Sequence, residues 1–234
     1  MSGFLGELLG TFILIVLGAG VNAGLNLNKT YGKNNGNWLL IAFGWGMAVT
    51  MGVYVGGAVG SDAHLNSAVT IGMATFGLFP WSQVLPYLLG QFIGAFLGAA
   101  LVVIHYYPHF KATTTKDGNT VGNFATVPAI DNPLFNLLSE IIGTFVFMYI
   151  LLNLGNFTTG LKPLVVGFLI LAIGMSLGTT TGYAINPARD WGPRLAYTIL
   201  PIPNKGGANW HYAWIPMVGP LVGGLLAAAL FSVQ

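Results

Sequence analysis

The sequence predicts an all-α membrane protein of six transmembrane helices plus two half-spanning re-entrant helices in an inverted repeat. Three observations carry that prediction. Hydrophobic residues make up 54% of the 234 and charged residues only 6%, with a mean hydropathy of +0.72, whereas soluble domains carry roughly a quarter charged residues. Apolar runs of the ~20 residues needed to cross a hydrocarbon layer of about 30 Å recur six times. Segments also recur in order: "ELLGTF" (7–12) with "EIIGTF" (140–145), "AHLNSAV" (63–69) with "YAINPAR" (183–189), and "GQFIGAFLGAAL" (90–101) with "GPLVGGLLAAAL" (219–230).

The first run, 4–24, begins almost at Met1 without a basic region or a small-residue cleavage site, so it reads as a retained helix. "NLNKTYGKNNGN" is a solvated loop leading into the run 38–59. The segment 66–78, "NSAVTIGMATFGL", is apolar but only about half the length of a span. A full run follows at 84–105, then a long polar connection rich in Thr and Asn up to residue 133. Runs at 135–154 and 161–181 precede a second half-length segment, 186–200, and the run 210–232 closes the chain. Each copy thus holds three full spans and one half-span, and an odd number of spans inverts the second copy relative to the first. The expectation is one domain, 1–234, of two inverted repeats, about 1–110 and 133–234, joined by an extramembrane loop. Gly90, Gly94 and Gly98, like Gly219, Gly223 and Ala227, recur every four residues and suit close helix packing.

Broken segments survive in a bilayer only when packed inside protein or lining a wet cavity. Two of them at matching positions point to a central pathway. Each begins with Asn, Asn66 or Asn186, whose side chain can cap the first turn and whose other polar atoms can face that cavity. Pro187 suits a first helical position, and Ser67 takes that place in the first copy. Half-helices meeting by their N-termini would each bring roughly half a positive charge to the midplane, repelling cations and protons while neutral solutes pass. An unpaired Arg is costly in hydrocarbon, so Arg189 is expected to face the cavity with its donors engaged. Glu7 and Glu140 stand at equivalent places, and their duplication argues for inward-facing acids that accept N–H groups from the half-helix loops. His64 fits a pore-lining, a packing or a pH-sensing role, and Asp190 a first-turn acid or a partner for Arg194.

Other chemistry lacks machinery. Zero Cys excludes disulfides and thiolate sites, and the net charge of +2 without a basic cluster gives nucleic acid or acidic lipid no footprint. His105, His109 and His211 lack metal-ligand spacing, and no triad, phosphate loop or carboxylate pair is present. Neither catalysis nor a metal or other cofactor is expected. Inverted repeats with broken helices also occur in coupled transporters. A proton-coupled carrier would be expected to hold a chain of intramembrane acids or His, whereas the repeat-matched acids here sit near span ends.

The repeat and its motifs, Asn66-Ser67-Ala68 and Asn186-Pro187-Ala188, make the chain similar over essentially its whole length to the major intrinsic proteins, the aquaporin and glycerol facilitator family. Ser67 departs from that family's usual Asn-Pro-Ala. The resemblance implies one pore per subunit, a homotetramer, a location in the plasma membrane and both termini in the cytoplasm. It also implies a selectivity filter at Trp45, Gly174, Tyr183 and Arg189. Taken alone, Trp45 reads as a core or interfacial aromatic and Gly174 as a packing glycine, and the resemblance is what places both in the filter. Gly174 stands where water-selective relatives commonly have His, which should widen the constriction, and Asp190 after Arg189 is the pattern of the glycerol-conducting, aquaglyceroporin branch. Tyr183 replaces the Phe usual in that branch and would add a hydroxyl to an otherwise apolar wall. The implied function is passive passage of glycerol, water and other small uncharged solutes, with ions and protons excluded. Protonated lactic acid or dihydroxyacetone as the chief solute and a coupled secondary transporter are the alternatives. The cytoplasmic termini place Lys29, Lys33, Lys111, Lys116 and Lys205 outside, opposite to what the positive-inside rule would choose.

Overall fold

Asparagine and proline fix where several helices begin. Asn37 and Asn132, in extended conformation, accept from the backbone N–H groups of Leu40 and Phe135, and Pro133, Pro163 and Pro187 stand in first turns, where a missing N–H costs nothing. The computed structural model describes residues 2–234. Its helices are α1 (Ser2–Asn26), α2 (Trp38–Ala58), α3 (Ser67–Thr75), α4 (Trp81–His105), α5 (Tyr107–Ala112), α6 (Pro133–Asn153), α7 (Lys162–Leu177), α8 (Pro187–Ile199) and α9 (Trp214–Ser232). Two short 3₁₀ turns, Thr115–Asp117 and Thr120–Asn123, lie in the connection before α6, and no strand occurs among the described residues.

Five helices, α1, α2, α4, α6 and α9, are long and apolar enough to cross a membrane. α7 is the sixth and has 16 residues, about 24 Å at 1.5 Å per residue. The apolar run 161–181 overshoots it because the chain turns at Gly178 and Gly182, the latter at φ +85°, while remaining buried in part. α3 and α8, with 9 and 13 residues, are the half-spans. Leu85, Ile104 and Phe135 are 64%, 71% and 65% exposed, which suits a surface bathed in lipid rather than water.

Small residues set how closely the helices pack. A Cβ on Gly10 would lie 2.8 Å from the Gly52 carbonyl oxygen, and one on Gly52 would lie 2.7 Å from that of Gly10, so α1 and α2 meet backbone to backbone. Gly46 and Gly167 do the same for α2 and α7. Gly90 sets α4 against Glu7 on α1, and Gly219 sets α9 against Glu140 on α6. The half-helices cross between the copies. α3 packs on α9 at Gly72 and Gly224, and α8 packs on α4 at Gly192 and Ala95.

Gly52→Val is expected to lower stability by about 1–3 kcal/mol through overpacking. Gly57→Ala, where the added methyl meets no atom within 4 Å, should be neutral or gain up to about 1 kcal/mol in helix propensity. Melting temperatures in detergent check the pair, and equal values would contradict the close crossing.

Candidate functional site

Two non-helical loops precede α3 and α8, and each needs side chains to satisfy its backbone. Ala63 and Leu65 (φ 52° and 50°) and, at the matching positions, Tyr183 and Ile185 (φ 37° and 43°) adopt left-handed conformations that L-residues rarely hold without support. A carboxylate supplies it in each case. Glu7 Oε1 accepts from Ser61 Oγ (2.6 Å) and His64 N (2.9 Å), and its Oε2 accepts from Leu65 N (2.7 Å). Glu140 Oε1 accepts from Thr181 Oγ1 (2.7 Å) and Ala184 N (2.9 Å), and its Oε2 accepts from Ile185 N (2.9 Å). Both acids are buried, where only such charge-assisted bonds make an ionised group tolerable.

The loops deliver two asparagines tip to tip. Asn66 Oδ1 caps Ala68 N (2.9 Å), while its Nδ2 donates to the Ile185 carbonyl (2.8 Å). Asn186 Oδ1 caps Ala188 N (3.0 Å) and Arg189 N (3.3 Å), while its Nδ2 donates to the Leu65 carbonyl (2.7 Å). This reciprocal pair locks the N-termini of α3 and α8 together. Each amide keeps one further N–H, and both residues line a cavity of about 540 Å³.

Ser67, Ala68, Pro187 and Ala188 are buried in the first turns behind these tips. Ser67 has a task that proline could not perform: its hydroxyl donates to Gln91 Oε1 (2.9 Å). Gln91 Nε2 in turn donates to Glu7 Oε2 (2.7 Å) and Thr70 Oγ1 (3.0 Å). Thr70 Oγ1 also lies 3.1 Å from His64 Nδ1, and the imidazole packs edge-on to Phe79 and Tyr87 while lining the cavity. His64 therefore both borders the cavity and packs against aromatic rings.

The cavity extends from Trp45 and Arg189 past the asparagines to Leu78 and Lys162. The Arg189 guanidinium lies over the Trp45 ring, 4.1 Å from its centroid, and Nη1 donates to the Phe124 carbonyl (3.3 Å). Its other side-chain N–H groups have no protein acceptor among the described residues. Trp45 is held by its own indole N–H, which donates to Asn22 Oδ1 (3.2 Å). Tyr183 lines the cavity too, whereas Gly174 stands behind it. The expected widening at Gly174 is corrected here: a Cβ at that position would lie 2.8 Å from Tyr183 Cζ and 2.9 Å from its hydroxyl oxygen, so the tyrosine already fills the space. That hydroxyl is buried and without a hydrogen-bond partner among the described residues, so it does not enrich the wall as the sequence suggests. Trp38 closes the rear, edge-on to Tyr183 and donating to the Gly174 carbonyl (2.8 Å).

Asp190 pairs with Arg194 at 2.8 Å, both fully buried. The sequence reading missed Ser61 and Thr181, although they fall at matching positions in the repeat, and Gln91, although it is a lone amide in an apolar run. It also missed Phe124, which acts through its main chain and leaves no trace in residue type.

A family model described as "Major intrinsic protein" matches residues 1–231. The chain is 64% identical over 234 residues to Glycerol uptake facilitator protein 2 of Lactiplantibacillus plantarum, covering 100% of this chain and 99% of that one. It is 51% identical over 234 residues to the glycerol uptake facilitator protein of Bacillus subtilis, covering 99% and 84%. The X-ray structure of the aquaglyceroporin from Plasmodium falciparum superposes with a TM-score of 0.86 at 31% identity, covering 99% of this chain and 95% of that one.

Glu140→Gln would turn an amide NH₂ toward donors that now meet a carboxylate oxygen. The expected cost is about 1–3 kcal/mol or more, with faster hydrogen exchange at the Ala184 and Ile185 amides. Unchanged exchange at those amides would mean that the carboxylate does not hold the loop.

Proposed function

The chain belongs to the major intrinsic protein family, and we propose that it is a passive channel for glycerol, water and other small uncharged solutes. One observation carries the reading: a buried guanidinium laid on an indole beside a cavity that passes two half-helix tips, with a single side-chain hydrogen bond to protein among the described residues. A polyol has a hydroxylated edge and a carbon edge. Arg189 and the spare N–H groups of Asn66 and Asn186 donate to the first, while Trp45 and the ring of Tyr183 accept the second. Gly174 belongs to this filter by leaving room for the tyrosine.

Ions are excluded by cost. A cation meets the Arg189 charge and two helix N-termini worth about half a positive charge each. An anion would have to shed its hydration along a largely apolar wall. The same positive field opposes protons. No step makes or breaks a covalent bond in this reading, so the protein transports without catalysis or a cofactor.

The remaining organisation follows from the family. We place residues 1–110 and 133–234 as the two inverted repeats, with the connection between them outside the membrane. The working unit is a homotetramer in the plasma membrane, with both termini cytoplasmic. Loops bearing Lys29, Lys111 and Lys205 gather on one face, where Asn28 Nδ2 donates to the Ala112 carbonyl (3.2 Å) and Asn204 Nδ2 to the Lys111 carbonyl (3.2 Å). In this orientation that face is external, and proteolysis near Lys111 from outside intact cells tests it.

Proteoliposomes under an osmotic gradient provide the functional test. Glycerol flux is expected to rise linearly with the gradient and to ignore a proton gradient, whereas saturation or proton coupling would reject the channel reading. Arg189→Val should raise the permeability of a larger polyol relative to glycerol by on the order of tenfold, the equivalent of about 1.4 kcal/mol. Tyr183→Phe removes only an unpartnered hydroxyl and should leave that ratio within about twofold, with stability equal or slightly improved.

A further inference from the structure

The Phe124 carbonyl is the protein acceptor that holds the Arg189 guanidinium, and it belongs to a segment outside any α-helix. That segment hangs between two anchors. On one side the Phe124 ring stacks on Phe110, with centroids 5.8 Å apart and planes at 13°, and approaches Tyr197 at 5.6 Å. On the other side is Thr126, whose every polar group is gripped by the Asp190–Arg194 pair. Its backbone N–H donates to Asp190 Oδ2 (2.7 Å), its hydroxyl donates to the same oxygen (2.6 Å), and its carbonyl accepts from Arg194 Nη2 (2.9 Å). Thr126 is 4% exposed and does not line the cavity.

The pair is in turn fixed from other directions. Arg194 Nε donates to Asp190 Oδ1 (2.8 Å), and its Nη1 donates to the Ala208 and Asn209 carbonyls (2.7 and 3.1 Å). Its charge is thereby neutralised, while Arg189 next door makes no salt bridge among the described residues and keeps its positive charge for the cavity. The consequence is a division of labour along α8: Arg194 with Asp190 holds the loop, and the loop holds Arg189.

We propose that Thr126 is a positioning residue for solute selection, setting through its hydroxyl on Asp190 where the Phe124 carbonyl meets Arg189. The inference rests on the channel reading above and names what regulates its filter. Without the hydroxyl, Asp190 Oδ2 keeps the Thr126 N–H and Arg194 Nη2, so the pair stays charged and bonded while the grip on the loop loosens. Arg189 then loses a fixed acceptor and swings, and the opening accepts wider solutes.

The test uses full-length protein in proteoliposomes, with glycerol and ribitol permeabilities measured per incorporated channel. Thr126→Val is expected to raise the ribitol-to-glycerol ratio by about threefold to tenfold, a fraction of what one hydrogen bond to a charged acceptor is worth. Thr126→Ser, which retains the hydroxyl, should restore the parental ratio. In the Arg189→Val background, Thr126→Val should add nothing, because both act on one guanidinium. A uniform loss of both permeabilities, or additive effects in the double variant, would reduce Thr126 to a structural contact and overturn the proposal. Should the valine variant fail to incorporate, Thr126→Ala read by the same ratio decides the matter, and an unchanged ratio again rejects it. Parental protein that conducts no glycerol would instead overturn the channel reading itself.

Discussion

The constraint on which this molecule depends is that backbone polar groups within the hydrocarbon must find partners. Two loops give up helical hydrogen bonding there, and each finds a buried carboxylate instead. Glu7 and Glu140 carry out the same work in mirrored settings, each taking one hydroxyl and two backbone N–H groups. Fixing the N–H groups against the scaffold lets the chain hold left-handed residues that would otherwise relax. The opposite asparagines then capture the Leu65 and Ile185 carbonyls, and the half-helices start where those captures put them.

Between the copies, the symmetry of the loops gives way to differences in what backs them. Behind the first tip lies a side-chain network, in which Ser67, Gln91 and Thr70 join the half-helix to Glu7. In the second copy Pro187 and Pro220 occupy the positions that match Ser67 and Gln91 in the repeat, and neither ring can make side-chain hydrogen bonds of that kind. One copy is restrained by hydrogen bonds, the other by ring closure at fixed φ. The second copy also carries the Asp190–Arg194 pair. A buried pair of this kind contributes little net stability, which fits a part used for registration more than for strength.

What the sequence discloses follows from the same physics. Six spans are legible because about 20 apolar residues in succession match the thickness of a bilayer and suit little else, and the loop acids are legible because the repeat places Glu7 and Glu140 in register. The end of α7 is not legible: Gly178 to Tyr183 carries no charge to mark the break, since hydropathy records burial and not backbone hydrogen bonding. Nor is the fate of the Tyr183 hydroxyl, because the direction of a side chain on a left-handed residue depends on the tertiary setting, and here it fills the space at Gly174. Thr126 lies 64 residues from Asp190 in a polar connection, with nothing in its neighbourhood to distinguish it from the threonines around it.

The crossed seating of the half-helices governs how such a chain is made. α3 rests on α9, which lies about 140 residues further along the chain and leaves the ribosome well after it. During synthesis the first half therefore waits with a flank of its short helix uncovered, and this long-range contact closes only once α9 has been made. Until α9 inserts, α3 lacks the surface at Gly224 on which it rests, so the first asparagine tip gains its full support only late in assembly.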